Sequence, residues 1–253
     1  MPLLSIITIN FNNANGLQQT IESVVNQNFS DFEYIIIDGG SSDHSKAIIE
    51  KYQSKITYYV SEKDNGIYNA QNKGILKSKG EYCLFLNSGD YLCNSDVLKK
   101  VFNKESIADI IYGNMQIDYG NGKIEFGKMP SKLTFKQMYL DTLWHPVSFI
   151  KRSLFETYGL YNEKYKMVAD YDFFFNVIIM KSVSTHYIDM DISVFNMDGV
   201  SSLEINKEKE QQERKMVMQS YLPPLVIEYA EELKLILPPK RTVLQRLINK
   251  FKK

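Results

Sequence analysis

The chain has 253 residues, of which 44% are hydrophobic and 24% are charged, a composition that indicates a globular protein with a buried core and excludes a disordered or fibrous chain. Thirty basic and thirty acidic residues leave no net charge, so we expect no nucleic-acid partner attracted by the overall field. Two cysteines, no apolar run near the roughly 20 residues of a spanning helix and no signal sequence after Met1 predict a cytoplasmic protein without disulfides or a zinc site.

The first ninety residues alternate short apolar runs with stretches of helical periodicity. Strands are predicted at 3–9, 33–38, 56–60 and 82–86, and helices from about residue 15, at 45–52 and at 68–78. Such alternation implies right-handed crossovers and a mostly parallel sheet with helices on both faces. The sequence therefore predicts an α/β fold with a Rossmann-like central sheet.

The pattern is less regular after residue 90. Helices are predicted at 96–102, 135–140, 153–158 and 171–180, strands at 144–150 and 187–195, and a hairpin that pairs 110–119 with 123–126. Residues 204–220 are dense in Glu, Lys and Gln, and Pro-Pro pairs at 223 and 238 mark hinges between helical pieces. We therefore expect one domain over residues 1–200 and a helical C-terminal extension over 201–253.

Three aspartates, Asp38, Asp64 and Asp90, each lie just after a predicted strand. Because parallel strands end at the same edge of a sheet, the three carboxylates are expected to converge there. Converging carboxylates are costly unless a cation or hydrogen-bond donors compensate them, which favours a divalent metal with oxygen ligands. The alternative for each aspartate alone is a cap on the next helix, which is a common role of this residue.

A series of short motifs runs along the chain in a specific order. They are Ser5-Ile-Ile-Thr-Ile-Asn-Phe-Asn12, Asp38-Gly-Gly-Ser-Ser-Asp43, Asp64-Asn-Gly-Ile-Tyr68, Asn72-Lys-Gly74, Phe85-Leu-Asn-Ser-Gly-Asp90, His145-Pro-Val-Ser148, Arg152-Ser-Leu-Phe-Glu-Thr-Tyr-Gly159 and Ala169-Asp-Tyr-Asp-Phe-Phe174. Their order and spacing resemble the motifs of family 2 glycosyltransferases with the GT-A fold, over about residues 3–200. The resemblance implies a nucleotide-binding half at about 1–95 and an acceptor-binding half at 96–200.

The resemblance assigns substrate contacts in the first half of the chain. It implies that Phe11 stacks on the base of a nucleotide-sugar donor, that Asp38 faces the nucleoside and that Asp64 contacts the nucleotide. Two asparagines within the motifs, Asn72 and Asn87, are expected to bind substrate as well.

The resemblance also assigns the reacting groups. Asp90 falls on the family's ligand for Mg²⁺ or Mn²⁺, which would bridge the donor diphosphate, and Asp170 falls on its catalytic base. His145 is expected to contact metal, phosphate or acceptor, and its alternative role is to hold a loop by a hydrogen bond. Two departures stand out: the metal motif has one carboxylate instead of two, and Ala169 replaces a common Glu before the base. Asp172 competes with Asp170 for the role of base, but residues two apart on a helix point in different directions.

The function implied is an inverting, metal-dependent hexosyltransferase that moves a sugar from a nucleotide diphosphate, UDP by preference, to a saccharide or polyprenyl-linked acceptor in surface polysaccharide synthesis. One alternative is a catalytically inactive relative that binds sugar nucleotides. Another is a nicotinamide-dependent oxidoreductase, but the turn at 10–16 lacks the Gly-x-Gly-x-x-Gly that lets a backbone approach pyrophosphate. A third alternative is a scaffold that only binds other proteins, but this alternative gives the three strand-end aspartates no role.

The last fourteen residues, 240–253, combine six basic residues with an apolar helical face and contain no acid. This pattern is typical of a helix that lies on an anionic membrane, here the inner face. The alternative is a terminal helix docked on the body or on a second subunit. Peripheral membrane contact would suit a lipid-linked acceptor.

Overall fold

The computed structural model describes residues 1–103, 108–120, 122–197 and 207–236. Its first half alternates four strands with three helices. They are β1 (Leu4–Asn10), α1 (Ala14–Val25), β2 (Phe32–Asp38), α2 (Ser45–Lys51), β3 (Tyr58–Ser61), α3 (Ile67–Lys77) and β4 (Tyr82–Phe85). Each predicted element of this half is confirmed, with ends that differ by one or two residues.

The second half is a mixture of short strands and helices. They are β5 (Tyr91–Leu92), α4 (Val97–Val101), β6 (Ile110–Asp118), β7 (Ile124–Gly127), α5 (Phe135–Leu140), β8 (Ser148–Lys151), α6 (Arg152–Tyr158), α7 (Ala169–Phe174), which continues as a π-helical segment at Phe175–Met180, and β9 (Thr185–Asn196). The two-residue β5 was not predicted. The strand predicted at 144–150 is wrong in its first part, where His145–Val147 form a 3₁₀ turn, because Pro146 has no N–H to offer a strand ladder.

One sheet joins both halves in the order β3-β2-β1-β4-β8-β6-β9-β5, with β7 paired to β6. The strands β1 to β4 are parallel to one another, so their carboxyl ends share one edge. Strand β8 runs antiparallel to β4, with Tyr82 opposite Lys151. The chain that enters β8 therefore lies beside the chain that leaves β4, and this juxtaposition builds the site described below.

Both faces of the parallel half are covered, which explains why its strands are apolar throughout. On one face, alternate residues such as Ile7 and Phe85 pack with α3, α6 and α7. On the other face, residues such as Ile6 and Leu84 pack with α1, α2 and α4. The sheet is thus the middle layer of three.

The C-terminal extension begins with α8 (Lys207–Tyr221) and α9 (Pro224–Ile236), separated at the predicted Pro-Pro hinge. Val217 of α8 is fully buried in the core, and the Tyr221 ring stacks on Phe175 with 5.8 Å between ring centroids. None of the helices described is long and apolar enough to cross a membrane. The second Pro-Pro pair and the basic segment 240–253 lie outside the described residues.

Candidate active site

The turn after β4 fixes the position of Asp90. Gly89 has φ of +107°, a conformation that L side chains rarely adopt, and it lets the chain fold back into β5. The hydroxyl of Thr20 on α1 accepts a hydrogen bond from the Gly89 N–H (3.0 Å) and donates one to the Asp90 carbonyl (2.7 Å). Because Thr20 is fully buried, the turn is attached to the body of the protein.

The Asp90 carboxylate is buried with little compensation for its charge. Its Oδ1 accepts a hydrogen bond from the Asn196 N–H at 3.2 Å, whereas its Oδ2 has no hydrogen-bond partner among the described residues. Burial raises the pKa of Asp90 to about 7, although the nearby His145 lowers it. A cation at Oδ2 would supply the missing compensation.

These surroundings fit a divalent cation bound through a single protein carboxylate. Within the described residues, no group of three or more His, Cys, Asp or Glu side chains could hold a metal ion. The expectation that Asp38, Asp64 and Asp90 together form a metal site is therefore wrong. Asp90 fits as one ligand, and the other ligands would be phosphate oxygens and water, which Mg²⁺ commonly retains.

Asp170 lies in the first turn of α7, across the site from Asp90. Its Oδ1 accepts hydrogen bonds from the Tyr68 hydroxyl (2.8 Å) and the Tyr171 N–H (2.9 Å), and its Oδ2 lies 3.3 Å from His145 Nδ1. Burial raises the pKa of Asp170, but the hydrogen bonds and charge of His145, with the bonds from Tyr68 and Tyr171, outweigh burial and lower it. The lowered pKa keeps the carboxylate ionised at neutral pH, and the side chain is 16% exposed, so a substrate can reach it.

His145 and Asn87 connect the two aspartates. Asn87 Nδ2 lies 3.3 Å from His145 Nε2, and Asn87 Oδ1 accepts a hydrogen bond from Gln71 at 3.2 Å. Because an ionised carboxylate only accepts hydrogen bonds, the His145 Nδ1 carries a proton and donates it to Asp170. The antiparallel pairing of β4 and β8 creates this contact, because it brings the residues after one strand beside those before the other.

Two openings meet at these residues. The strand-end cleft, lined by Phe11, Asn13, Asp64, Asn87, Ser88 and Asp90 among others, has a volume of about 730 Å³. The inner cavity, lined by Asn87, Trp144, His145, Asp170, Tyr171 and Arg214 among others, has a volume of about 210 Å³. Ile67, Asn87 and Phe195 line both. The site thus has one larger cleft rich in polar side chains and one smaller cavity with aromatic lining, and the Asp170 carboxylate lies in the smaller cavity near the residues that line both.

Phe11 and Asp64 lie together at the outer part of the strand-end cleft. Phe11 is 65% exposed, which is costly for a phenyl ring unless a ligand covers it. A Cβ at Gly39 would lie 2.5 Å from Asp64 Oδ2 and 3.3 Å from the Phe11 ring. Glycine at this position therefore lets the ring and the carboxylate approach the same spot.

Asp38 was predicted to face the nucleoside, but its side chain is enclosed by the protein. It is fully buried, and its carboxylate accepts hydrogen bonds from the Asn10 amide, the Ser41 hydroxyl and N–H, and the Ser61 hydroxyl, at 2.6–2.9 Å. Burial raises the pKa of Asp38, but these donors outweigh it and lower the pKa. The geometry argues against direct contact with a ligand, because the bonds fix the loop after β2 instead.

Asn72 is likewise occupied within the protein. Its amide donates to the Tyr161 carbonyl and to Glu163, both at 2.9 Å, and its Oδ1 accepts from the Tyr161 N–H at 3.0 Å. It is 5% exposed and lines neither opening. The predicted substrate contact is therefore not supported, and Asn72 ties α3 to the loop that leads to α7.

Asp172, the rival of Asp170, points away from the site. It is buried, and the Tyr221 hydroxyl and Asn162 hydrogen-bond to it. Tyr68 and Thr20 hydrogen-bond to Asp170 and to the turn at Asp90, and the sequence did not single them out. Tyr68 closes one of the motifs, which was the available signal, whereas nothing in the sequence near Thr20 indicates its bond to the turn at Asp90.

Comparison with known proteins identifies the family. The model of the family described as Glycosyl transferase family 2 matches residues 5–175, more than half of the chain. A PGL/p-HBAD biosynthesis glycosyltransferase from Mycobacterium tuberculosis is 28% identical over 214 residues, which cover 82% of each chain. An uncharacterized glycosyltransferase from the same species is 30% identical over 206 residues, covering 79% of this chain and 78% of the relative.

Solved structures agree on the fold. The crystal structure of TarS residues 1–349 from S. aureus, in complex with UDP, superimposes with a TM-score of 0.65 at 22% identity, and the match covers 78% of this chain and 60% of TarS 1–349. The mannosyltransferase PcManGT from Pyrobaculum calidifontis, in complex with GDP-Man and Mn²⁺, gives a TM-score of 0.66 at 13% identity and covers 94% of this chain and 70% of its own. The chain is therefore a glycosyltransferase that belongs to family 2 and has the GT-A fold.

Proposed function

We propose that the enzyme transfers a hexose, with inversion and with a divalent metal, from a UDP-sugar to a saccharide or polyprenyl-linked acceptor in surface polysaccharide synthesis. The observation that carries this proposal is the placement of Asp90 and Asp170 on either side of the His145–Asn87 pair, near the junction of the strand-end cleft and the inner cavity. A donor diphosphate at Asp90 and an acceptor hydroxyl at Asp170 would then meet at one sugar carbon.

The strand-end cleft is proposed as the donor site. Neighbouring structures are complexes with UDP, UDP-GlcNAc and GDP-Man, which supports a nucleotide sugar. The exposed Phe11 ring is proposed to stack on the base, beside the Asp64 carboxylate. Asp90 Oδ2 would hold Mg²⁺ or Mn²⁺, and the bound ion would offset the charge that develops on the leaving diphosphate.

The acceptor hydroxyl is proposed to enter from the inner cavity and to give its proton to Asp170. Oδ2 is the better placed oxygen, because Oδ1 already accepts two short hydrogen bonds whereas Oδ2 has only the longer contact with His145. The acceptor oxygen bonds to the anomeric carbon from the face opposite the diphosphate, the carbon–diphosphate bond breaks, and the proton remains on Asp170. Inversion follows, because no covalent intermediate with the protein is formed.

Asp170→Asn tests this assignment. The variant keeps the size of the side chain but cannot accept the proton, so kcat is expected to fall by about 10²–10⁴-fold while the calorimetric Kd for UDP changes little. Asp172→Asn is the matched control, since Asp172 bonds to Tyr221 and Asn162 instead, and it should retain turnover. Donor binding by the wild type without turnover on any acceptor would favour the alternative, an inactive sugar-nucleotide-binding relative.

Two further predictions concern the organisation and the location of the whole chain. The division at about residue 95 into a donor half and an acceptor half is proposed from the positions of Asp90 and Asp170. A cytoplasmic location, with the segment 240–253 on the inner face of the membrane, stays a prediction, and vesicle co-sedimentation of the full chain against a chain ending at residue 239 would test it.

A further inference from the structure

The C-terminal extension supplies part of the inner cavity. Two side chains of α8, Glu210 and Arg214, line it together with Trp144, Asp141 and Tyr171 from the catalytic domain. The extension was expected to be an appendage, yet its first helix forms a wall beside the proposed base. The inference below rests on the proposed function, because it concerns the acceptor of the same reaction.

Arg214 is held in a fixed position on this wall. Its guanidinium lies over the Tyr171 ring at 4.0 Å from the centroid, and it donates a hydrogen bond to the Asp141 carbonyl at 2.9 Å. The neighbouring turn of α8 is also fixed, because the buried Glu213 accepts hydrogen bonds from the Lys166 and Met167 N–H groups. Glu210 therefore projects from a rigid segment and not from a mobile tail.

The charges that face the cavity are mostly negative. The carboxylates are Asp141, Asp170 and Glu210, and the cations are Arg214 and Lys166, beside the imidazole of His145. The Lys166 ammonium contacts the Asn65 carbonyl at 3.5 Å. Burial raises the pKa of Glu210, Arg214 lowers it, and Asp170 and Asp141 raise it further, which is the behaviour expected where negative charge is crowded.

The rest of the lining is aromatic or apolar. Trp144 presents a ring surface, and Met115, Ile117 and Met197 complete the wall. A pocket of this kind binds the apolar face of a ring and orients it through a few polar groups. An ionised carboxylate only accepts hydrogen bonds. A ligand group that binds to it must therefore donate a hydrogen bond, as a hydroxyl does, and carry no negative charge.

We propose that α8 makes the inner cavity a subsite for a neutral, hydroxyl-bearing acceptor ring, in which Glu210 accepts a hydrogen bond from an acceptor hydroxyl and repels acceptors that carry a negative charge. Arg214 holds the wall and partly offsets this repulsion. Glu210 is thus a residue that determines acceptor specificity, and the extension is part of the enzyme's recognition surface.

The test compares acceptors that differ in one charge. UDP-sugar turnover is measured with p-nitrophenyl glucoside and galactoside against the corresponding p-nitrophenyl glucuronide and galacturonide. The wild type is expected to prefer the neutral glycosides by at least about tenfold in kcat/KM. Glu210→Gln should raise the acceptor KM for the neutral glycosides and reduce the preference over the uronides by about tenfold, without a change in donor KM. Arg214→Met should increase the preference.

Glu208→Gln is the matched control, since Glu208 is an exposed glutamate on the same helix, and it should behave as the wild type. Thermal unfolding of each variant shows whether it is folded. An unchanged preference in Glu210→Gln, a preference for uronides, or donor turnover without transfer to any neutral glycoside overturns the proposal. Asp170→Asn is assayed in parallel. If Asp170→Asn retains turnover, the proposed function fails. If Asp170→Asn is inactive and Glu210→Gln keeps the wild-type acceptor preference, only the present inference fails.

Discussion

At the scale of single residues, two carboxylates in the site have opposite pKa shifts. Burial raises the pKa of both Asp90 and Asp170. For Asp170 the donors around it outweigh burial and lower the pKa, whereas Asp90 has one backbone N–H at 3.2 Å on Oδ1 and a raised pKa of about 7. Environments that separate the pKa values of two carboxylates suit them to different roles: Asp170 stays ionised, as the proposed base must, and Asp90 favours a cation.

Tyr68→Phe should raise the pKa of Asp170, because it removes the hydroxyl that donates to Oδ1 at 2.8 Å. The base acts when it is ionised, so activity is present above the pKa of Asp170 and is lost as the pH falls through it. A hydrogen bond to a charged group contributes about 1.5–3 kcal/mol, so the acidic limb of the kcat profile should move up by about one to two pH units. UDP release measured across the acidic range checks this.

Tyr59→Phe is the control for that experiment. Tyr59 lies on β3, away from Asp170, so its pH profile should coincide with that of the wild type. If the acidic limb of Tyr68→Phe also coincides with it, the group that titrates in catalysis is not Asp170.

At the scale of elements, α8 holds the chain on both sides of the proposed base. The buried Glu213 carboxylate accepts hydrogen bonds from the Lys166 N–H (3.0 Å) and the Met167 N–H (2.8 Å), just before α7. Farther along the helix, Tyr221 hydrogen-bonds to Asp172 within α7. The helix therefore acts as a brace for the loop and helix that carry Asp170.

Glu213→Ala is expected to loosen this brace. The variant leaves two N–H groups without their acceptor, which costs about 1–3 kcal/mol in the free energy of unfolding. Chemical denaturation measures that loss, and Glu232→Ala, at an exposed position of α9, is the control that should change little. We also expect kcat to fall more than donor affinity, because α8 supports Asp170 and not the strand-end cleft. Equal effects of the two variants would contradict the role of α8.

Most elements were predictable from the sequence because their cause is local. The parallel strands are continuous apolar runs, and helices such as α1 follow from the spacing of Leu17, Ile21 and Val24. The error at 144–150 arose because apolar content alone does not reveal that Pro146 interrupts a strand. Strand β5 has only two residues, too few for any periodicity to indicate it.

The site was predictable only in part, since the fate of a polar side chain depends on distant partners. Asp38 is bound by Asn10, which lies 28 residues away, and Asn72 is bound to Tyr161, which lies 89 residues away. A motif gives the position of such residues but not whether their polar atoms remain free. The polar sequence of α8 carried no sign that Glu210 and Arg214 reach the inner cavity.

At the scale of the whole molecule, Asp90 makes folding depend on pH. Its pKa rises from an ordinary value of 3.8 to about 7 on burial, so the folded state binds the proton more tightly than the unfolded state. Stability from this group is therefore complete below the unfolded pKa and is lost as the pH rises from about 4 towards 7. The ligand-free enzyme therefore carries a destabilising charge above about pH 7 at the residue proposed to hold the metal, a common compromise at active sites.

Asp90→Asn should separate stability from function. At a pH above 7, where the wild-type carboxylate is ionised, the ligand-free variant is expected to be more stable by up to about 4 kcal/mol. This advantage should shrink as the pH falls towards 4, because the wild-type group then becomes neutral. Mn²⁺-dependent binding of UDP should be lost in the variant, since the substitution removes the carboxylate that is proposed to hold the ion. Denaturation curves at several pH values and calorimetry with UDP and Mn²⁺ test both parts. A variant that is less stable at every pH would show that Asp90 is not a destabilising buried charge. A variant that binds UDP with undiminished metal dependence would show that Asp90 is not the metal ligand.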